Sequence, residues 1–150
     1  MINEIQQILD KHTDKRISWD EYFTGVLLMI SARSSCKRLH VGCILVKDNR
    51  IISTGYNGFI GGLEHKSVIR NNHEVATVHA EENAINDAAK RGVSTNNCVA
   101  YITHFPCINC TKSLISCGVS CIKYLHDYKN DELATELFTN ANIKIDKINI

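Results

Sequence analysis

The chain has 150 residues, of which 44% are hydrophobic and 22% are charged, and 17 Lys and Arg against 16 Asp and Glu leave a net charge of +1. This length predicts a single domain over residues 1–150, large enough to fold without disulfide staples. The near-neutral charge argues against a protein that binds long nucleic acid by neutralising its phosphates. No apolar run approaches the roughly 20 residues that a membrane span needs.

The first elements in the chain are a helix and a hairpin. Ser18 followed by Glu21 has the form of a capping box, and apolar residues then recur at helical spacing to about Arg33. Two short apolar runs, residues 41–47 and 51–56, flank a polar turn. This arrangement predicts two strands paired as a β-hairpin.

The rest of the chain alternates helices with strands after a glycine-rich stretch that predicts a loop over residues 57–73. Pro106 is tolerated in a first helical turn, and Gly92 and Gly118 stand where helices end. The predicted elements are a helix over residues 80–90, a strand over 99–103, a helix over 107–116, a strand over 121–125, a helix over 132–140 and an edge strand over 143–148. This alternation predicts an α/β fold with a mixed sheet between helices, parallel in its second half.

The cysteine content indicates the redox environment. Seven cysteines are present, an odd number, and the polar residues 1–15 resemble neither a signal peptide nor a transit peptide. We therefore expect no disulfide framework and a reducing compartment, the cytoplasm. Cysteines in apolar runs are expected to be small core residues. They are Cys43, Cys98, Cys117 and Cys121.

Two predicted helix starts carry metal-binding residue types. His79 opens one helix, and Cys107 and Cys110, directly after Pro106, open the next. A strand connects these helices, so right-handed crossovers should place both on one face of the sheet with their N-termini close together. One histidine and two cysteines form a three-ligand zinc set that leaves the fourth tetrahedral position for water. The Cys-x-x-Cys pair alone would also fit a redox pair or half of a structural zinc site.

Glu81 favours a catalytic zinc over a structural one. It lies two residues from His79, and the combination of H-x-E with P-C-x-x-C is the signature of the zinc-dependent base deaminases. Zinc lowers the pKa of bound water to about 7, which prepares it to attack the ring carbon bearing the amino group. Glu81 would take the water proton, pass one to the ring nitrogen and protonate the leaving amine, steps that contribute about 10²–10⁴-fold.

Over residues 18–128 the sequence resembles the deoxycytidylate (dCMP) deaminases of the cytidine deaminase superfamily. The zinc motif is common to the superfamily, whereas the runs at residues 19–23 (Trp-Asp-Glu-Tyr-Phe) and 55–58 (Gly-Tyr-Asn-Gly) are typical of its deoxynucleotide branch. The resemblance implies a three-layer α/β/α fold with a five-stranded mixed sheet, zinc, and deamination of dCMP to dUMP and ammonia for dTMP synthesis. It also implies a homo-oligomer, commonly a hexamer, activated by dCTP with Mg²⁺ and inhibited by dTTP.

The resemblance further implies a set of substrate-binding residues. Arg33 suits a bidentate grip on the 5′-phosphate, and Asn57 offers a donor and an acceptor to a sugar hydroxyl or base edge. The plain alternatives are a solvated helix-end arginine, a turn asparagine, and tyrosines that serve only the core or the surface. The implied substrate-binding residues are Arg33, Ser34, Asn57, Ala80, Phe105, Tyr124 and Tyr128.

Two further sites follow from the same resemblance. A second, structural zinc has candidate ligands in Cys36, His40, His65 and His73, although histidines scattered on a polar loop are more often solvated. An allosteric nucleotide site would involve Asn57, Gly58 and Phe59. Here Ile60 stands where the family commonly has proline, and the loop that follows is short.

Three other functions compete with dCMP deamination. The first is a bifunctional dCMP/dCTP deaminase, because nothing visible in the chain blocks extra phosphates. The second is a tRNA or polynucleotide base deaminase, which needs a positive surface along the strand; the charge of +1 argues against it. The third is a non-catalytic zinc module, which would have no need of Glu81.

Overall fold

The computed structural model describes residues 1–13 and 15–150. In chain order the elements are α1 (Ile2–Asp10), a 3₁₀ turn (Lys11–Thr13), α2 (Trp19–Ser31), β1 (Gly42–Lys47), β2 (Arg50–Tyr56), β3 (Gly58–Phe59), β4 (Ile69–Arg70), β5 (His73–Glu74), β6 (Thr77–Val78), α3 (Ala80–Lys90), β7 (Val99–His104), α4 (Ile108–Ser116), β8 (Cys121–His126), α5 (Glu132–Asn140) and β9 (Lys144–Lys147). Among the described residues, none of the helices has the length and apolar character needed to cross a membrane.

The main sheet has five strands in the order β2-β1-β7-β8-β9. β1 pairs antiparallel with both β2 and β7, whereas β7, β8 and β9 run parallel to one another. Asp48 and Asn49 connect β1 to β2 with φ of 51° and 56°, the left-handed conformation that two-residue hairpin turns require. The prediction of a mixed sheet that is parallel in its second half is confirmed.

Both faces of the sheet are covered, as the apolar run of β1 predicts. Cys43 and Leu45 belong to a core cluster shared with α3, α4 and α5. The intervening Ile44 and Val46 belong to a second cluster with Phe23 and other residues of α2. Since successive side chains of a strand point to opposite faces, the sheet is the middle layer of three.

The sheet and α3 approach each other most closely at Gly55. A Cβ atom on Gly55 would come inside 3.0 Å of two backbone atoms of α3, the carbonyl oxygen of Ala80 and the amide nitrogen of Ala84. Only glycine permits this approach without displacing one element. The contact holds the first turn of α3 directly against β2.

The structure differs from the sequence predictions in three places. An N-terminal helix, α1, was not predicted. The predicted loop over residues 57–73 contains short strands, which form two small ladders, β3 with β6 and β4 with β5. Pro106 precedes the helix rather than lying in its first turn, because α4 begins at Ile108 with Cys107 as its N-cap.

Candidate active site

The starts of α3 and α4 carry the three candidate metal ligands. His79 is the N-cap of α3 and Cys107 is the N-cap of α4, both with extended backbone. Cys110 lies in the first turn of α4 and is buried. Side chains of both helices share one core cluster, so the two helices pack on the same face of the sheet. The three side chains consequently meet at one end of the sheet, beyond the end of β7.

The three ligand atoms converge at distances that suit a tetrahedral ion. Nδ1 of His79 lies 3.7 Å from Sγ of Cys107 and 3.4 Å from Sγ of Cys110, and all three atoms lie within 4.8 Å of one another. Zinc bonds of about 2.3 Å to sulfur and about 2.0–2.1 Å to nitrogen give a tetrahedral edge of about 3.6 Å. The chemistry and the spacing of the donor set therefore fit Zn²⁺.

The electrostatics of the site favour a thiolate at Cys107. Hydrogen bonds from the Cys110 thiol and from His79 lower the pKa of Cys107 to about 4, although burial opposes this shift. The same interaction with Cys107 raises the pKa of His79 to about 9. The Cys110 thiol, which donates to that thiolate and is buried, has its pKa raised. The backbone N–H of Cys110 also points at Sγ of Cys107 across 3.5 Å, which adds to the positive field of the helix start.

Glu81 is a buried carboxyl beside this ligand set. It lies in the first turn of α3, and its side chain is only 4% exposed. Burial raises the pKa of Glu81 above its ordinary 4.5, while its own backbone N–H and nearby His79 act in the opposite direction. A buried carboxyl with a raised pKa next to an open metal position is suited to accept a proton and return it.

Asn57 is held in a hydrogen-bond network that joins the end of β2 to the loop between α2 and β1. Its Oδ1 accepts hydrogen bonds from Ser34 Oγ at 2.6 Å and from the Val41 amide at 2.8 Å. Its Nδ2 donates to the Leu39 carbonyl oxygen at 2.8 Å. Ser34 Oγ also lies 2.8 Å from the Asn57 carbonyl oxygen. Both residues thus hold the loop after α2 against the end of β2, and their contact with substrate stays a prediction.

Three aromatic residues lie in or just after β7 and β8: Phe105 follows β7, Tyr124 lies within β8, and Tyr128 follows β8. Phe105 is 5% exposed, and its ring meets Tyr124 edge-on with centroids 5.2 Å apart. The Tyr124 hydroxyl donates to Oδ1 of Asp127 at 3.2 Å. Tyr128 is exposed and approaches the His104 ring edge-on at 6.0 Å.

The remaining predicted substrate-binding and allosteric residues lie in the loop after α2, at the start of α3 and in β3. Arg33 is exposed, two residues beyond the end of α2, and Ala80 is buried at the first position of α3. Phe59 lies in β3, where its ring stacks on His65 at 5.1 Å, and Gly58 is buried beside it.

The second-zinc candidates do not gather into a metal site. Among the described residues, His79, Cys107 and Cys110 are the one group of three or more His, Cys, Asp or Glu side chains close enough to share an ion. The structure therefore provides no ligand group for the predicted structural zinc from Cys36, His40, His65 and His73.

Asn83 is a site-supporting residue to which the sequence analysis assigned no role. Its Nδ2 donates to the Tyr56 carbonyl oxygen at 2.8 Å, which ties the first turn of α3 to the end of β2. The sequence contains an indication of this role. Asparagine is disfavoured inside helices, and Asn83 lies within the predicted helix, four residues after His79. A tertiary hydrogen bond explains its presence there.

Comparisons with known proteins agree with this geometry. The model of the family described as cytidine and deoxycytidylate deaminase zinc-binding region matches residues 17–126. ComE operon protein 2 of Bacillus subtilis (strain 168) is 40% identical over 140 residues, which cover 91% of this chain and 74% of that protein. Deoxycytidylate deaminase of Saccharomyces cerevisiae is 34% identical over 140 residues, covering 87% of this chain but 45% of the yeast protein, so the chain spans under half of that relative.

A solved structure extends the likeness to the fold. The crystal structure of dCMP deaminase from the cyanophage S-TIM5, in complex with dCMP and dUMP, matches with a TM-score of 0.78 and 27% identity. The match covers 86% of this chain and 96% of the phage chain. The predicted three-layer fold and the predicted family resemblance are both confirmed.

Proposed function

The chain belongs to the cytidine and deoxycytidylate deaminase family, and from that premise we propose that it hydrolyses dCMP to dUMP and ammonia. The observation that carries the proposal is the burial of Glu81 in contact with the convergent ligand set of His79, Cys107 and Cys110, where its carboxyl interacts with the Cys110 side chain. A structural zinc site is closed by four protein ligands and has no need of a buried carboxyl beside them. The phage enzyme with a similar fold is a dCMP deaminase bound to dCMP and dUMP, which supports the choice of substrate.

The roles of the chain's own residues follow from this geometry. His79, Cys107 and Cys110 would hold Zn²⁺, which when bound supplies Lewis-acid activation of a water molecule at neutral pH. Glu81 accepts a proton from that water and delivers it to the ring nitrogen next to the carbon under attack. It then carries the second water proton to the amino group, which leaves as ammonia. One water is consumed, a C–N bond breaks and a carbonyl replaces it.

The substrate-binding roles are part of the same proposal. Arg33 would bind the 5′-phosphate, because it is an exposed guanidinium that follows α2 directly before the Ser34–Asn57 network. Phe105 and Tyr124 would form an aromatic wall for the base, since their rings pack against each other. Phe105 comes two residues before Cys107, and Tyr124 lies in β8, the strand adjacent to β7. Ser34, Asn57, Ala80 and Tyr128 complete the proposed set.

We also propose the regulation and assembly that the family resemblance implies. A homo-oligomer, commonly a hexamer in this family, would be activated by dCTP with Mg²⁺ and inhibited by dTTP through Asn57, Gly58 and Phe59. Sedimentation of the zinc-loaded protein, with turnover measured with and without each nucleotide, tests both points. If the protein were a monomer and neither dCTP nor dTTP changed its turnover, the proposed assembly and regulation would be wrong. The proposal that it deaminates dCMP would still stand.

The decisive experiment separates zinc binding from proton transfer. Glu81→Gln should retain the zinc content of the wild type and lose about 10²–10⁴-fold or more in dCMP turnover. Glu82→Gln, the same change one residue along α3, is the matched control and should keep both zinc and turnover. Activity retained by Glu81→Gln would remove the proton-transfer role.

Substrate choice is tested by assaying dCMP, dCTP, deoxycytidine, CMP and an oligonucleotide side by side. If the wild type prefers dCMP over deoxycytidine and Arg33→Ala loses this preference, the result supports binding of the 5′-phosphate by Arg33. Equal turnover of deoxycytidine contradicts it, turnover of dCTP indicates the bifunctional enzyme, and turnover of the oligonucleotide indicates a nucleic-acid deaminase.

A further inference from the structure

A cavity of about 640 Å³ lies between the start of α2 and the turn that joins β1 to β2. Its volume is within the range of about 300–1,000 Å³ that is usual for small-molecule sites. Its lining includes Arg16, Trp19, Tyr22, Phe23, Asn49 and Arg50. None of the residues proposed for zinc binding, proton transfer or substrate binding lines this cavity.

The cavity lies at the end of the sheet opposite to the metal ligands. β1 pairs antiparallel with β7, with Val46 opposite Val99 and Cys43 opposite Ile102. The turn after β1 therefore lies beside the start of β7, whereas the metal ligands lie beyond its end. A six-residue strand is about 20 Å long, so a ligand in this cavity is separate from one at the metal.

Aromatic side chains form a stacking platform in the cavity. Trp19 is 47% exposed, and its ring stacks on Phe23 with centroids 5.5 Å apart and planes at 18°. Phe23 is only 1% exposed, so the platform is anchored in the core. Tyr22 packs edge-on against both rings and is 44% exposed. An exposed, anchored indole of this kind can stack on a planar base, whatever its identity.

The charged side chains that line the cavity are cationic. Arg16 and Arg50 line it, and no acidic residue is among its lining residues in the described part of the chain. The two carboxylates in the adjacent turn of α2 are engaged elsewhere. Asp20 accepts two hydrogen bonds of 2.7 Å from Lys123, and Glu21 caps its own helix. Guanidinium groups beside an aromatic platform suit phosphates attached to a base.

We propose that this cavity binds a nucleotide, with its base stacked on Trp19 and its phosphates held by Arg16 and Arg50. The Asn49 side chain, at the tip of the hairpin, offers a donor and an acceptor to the base or sugar. This proposal goes beyond the deaminase function, and its test does not use deamination as the readout of binding.

Trp19 is the chain's single tryptophan, so its intrinsic fluorescence reports directly on the cavity. The zinc-loaded full chain is titrated with ATP, dTTP and inorganic triphosphate, with excitation at the red edge of the indole band, where nucleotides absorb little. We expect at least one of the two nucleotides to quench Trp19 saturably, and triphosphate to compete with it without quenching. The two nucleotides distinguish a purine from a pyrimidine site.

Charge variants decide whether the arginines hold the phosphates. Arg16→Ala combined with Arg50→Ala should weaken the apparent Kd at least tenfold, whereas Arg70→Ala, an exposed arginine on β4, should leave it unchanged. Unchanged zinc content and dCMP turnover show that each variant is folded. Absence of saturable quenching by both nucleotides, or equal affinity in the double variant and Arg70→Ala, would overturn the proposal.

Discussion

Gly55→Ala should damage both stability and the metal site, because a single added methyl group meets the backbone of α3. The new Cβ would lie inside 3.0 Å of the Ala80 carbonyl oxygen and the Ala84 amide nitrogen, and 3.0 Å from the carbonyl carbon of Asn83. Ordinary van der Waals contact begins at 3.4 Å. The helix or the strand must therefore retreat by more than 0.4 Å, the difference between 3.4 and 3.0 Å, since backbone atoms cannot rotate away.

The losses of stability and of turnover in Gly55→Ala can be estimated separately, because the start of α3 includes both a metal ligand and Glu81. Overpacking of this kind costs about 1–3 kcal/mol, partly offset by about 0.4–1 kcal/mol from the less flexible unfolded chain. Ala80 stands between His79 and Glu81, so any retreat of the helix start moves a metal ligand and the proton carrier together. A misplacement of about 1 Å in a catalytic group can cost about 10²-fold in rate. We therefore expect Gly55→Ala to lose about 10²-fold in dCMP turnover, even where the variant remains folded.

The assay compares Gly55→Ala with Gly61→Ala. An added Cβ at Gly61 meets no atom within 4 Å, and its φ is not positive, so this control should keep wild-type properties. Urea unfolding, zinc content and dCMP turnover are measured for both variants. If Gly55→Ala matched Gly61→Ala in all three, the close approach of β2 and α3 would not be the feature that positions the site.

Four further results are expected. Phe138→Ala should lower the free energy of unfolding by about 3–5 kcal/mol in urea, because Phe138 is fully buried; a loss below about 1 kcal/mol would contradict its core role. Gly25→Ala should raise that free energy by about 0.5–1 kcal/mol, since the added Cβ meets no atom within 4 Å. Burial would raise the pKa of Asp20, but hydrogen bonds from Lys123 and Tyr101 hold it below its ordinary 3.8. Its stabilisation is therefore present above that value and lost as pH falls through the native pKa; urea midpoints in acid should fall less steeply for Asp20→Asn than for the wild type. Removal of zinc by a chelator should lower the melting temperature and abolish turnover, and added zinc should restore both.

Local signals in the sequence predict most of the helices and strands. The capping box at Ser18 and Glu21 is present, with both reciprocal hydrogen bonds. The helix predicted over residues 80–90 is α3 without change of bounds, and Gly92 follows it with φ of 67°. These features depend on side chains within one or two turns of each other, so the order of residues is sufficient to predict them.

The missed elements depend on packing against another element in the case of α1, and on side-chain-to-backbone hydrogen bonds in the case of the β4–β5 ladder. α1 buries only Ile8, and so short a helix is marginal in water without packing against another element. In the predicted loop, the Glu74 carboxylate accepts hydrogen bonds from the amides of Val68 and Ala76 and helps to form the β4–β5 ladder. Neither feature follows from propensity or periodicity.

By itself the sequence determined the chemistry that is available: one imidazole, two thiols and a carboxyl at two helix starts, within a chain of alternating helices and strands. Only the tertiary structure gave the distances at which the three predicted ligand atoms converge, and the burial of Glu81 beside them. It also showed that, among the described residues, the second-zinc candidates form no group of three or more side chains close enough to share an ion. The reason is that the ligand distances depend on how α3 and α4 pack against the sheet, because His79 and Cys107 are 28 positions apart in the chain. That packing depends on close approaches such as the one at Gly55, which no spacing along the chain reveals.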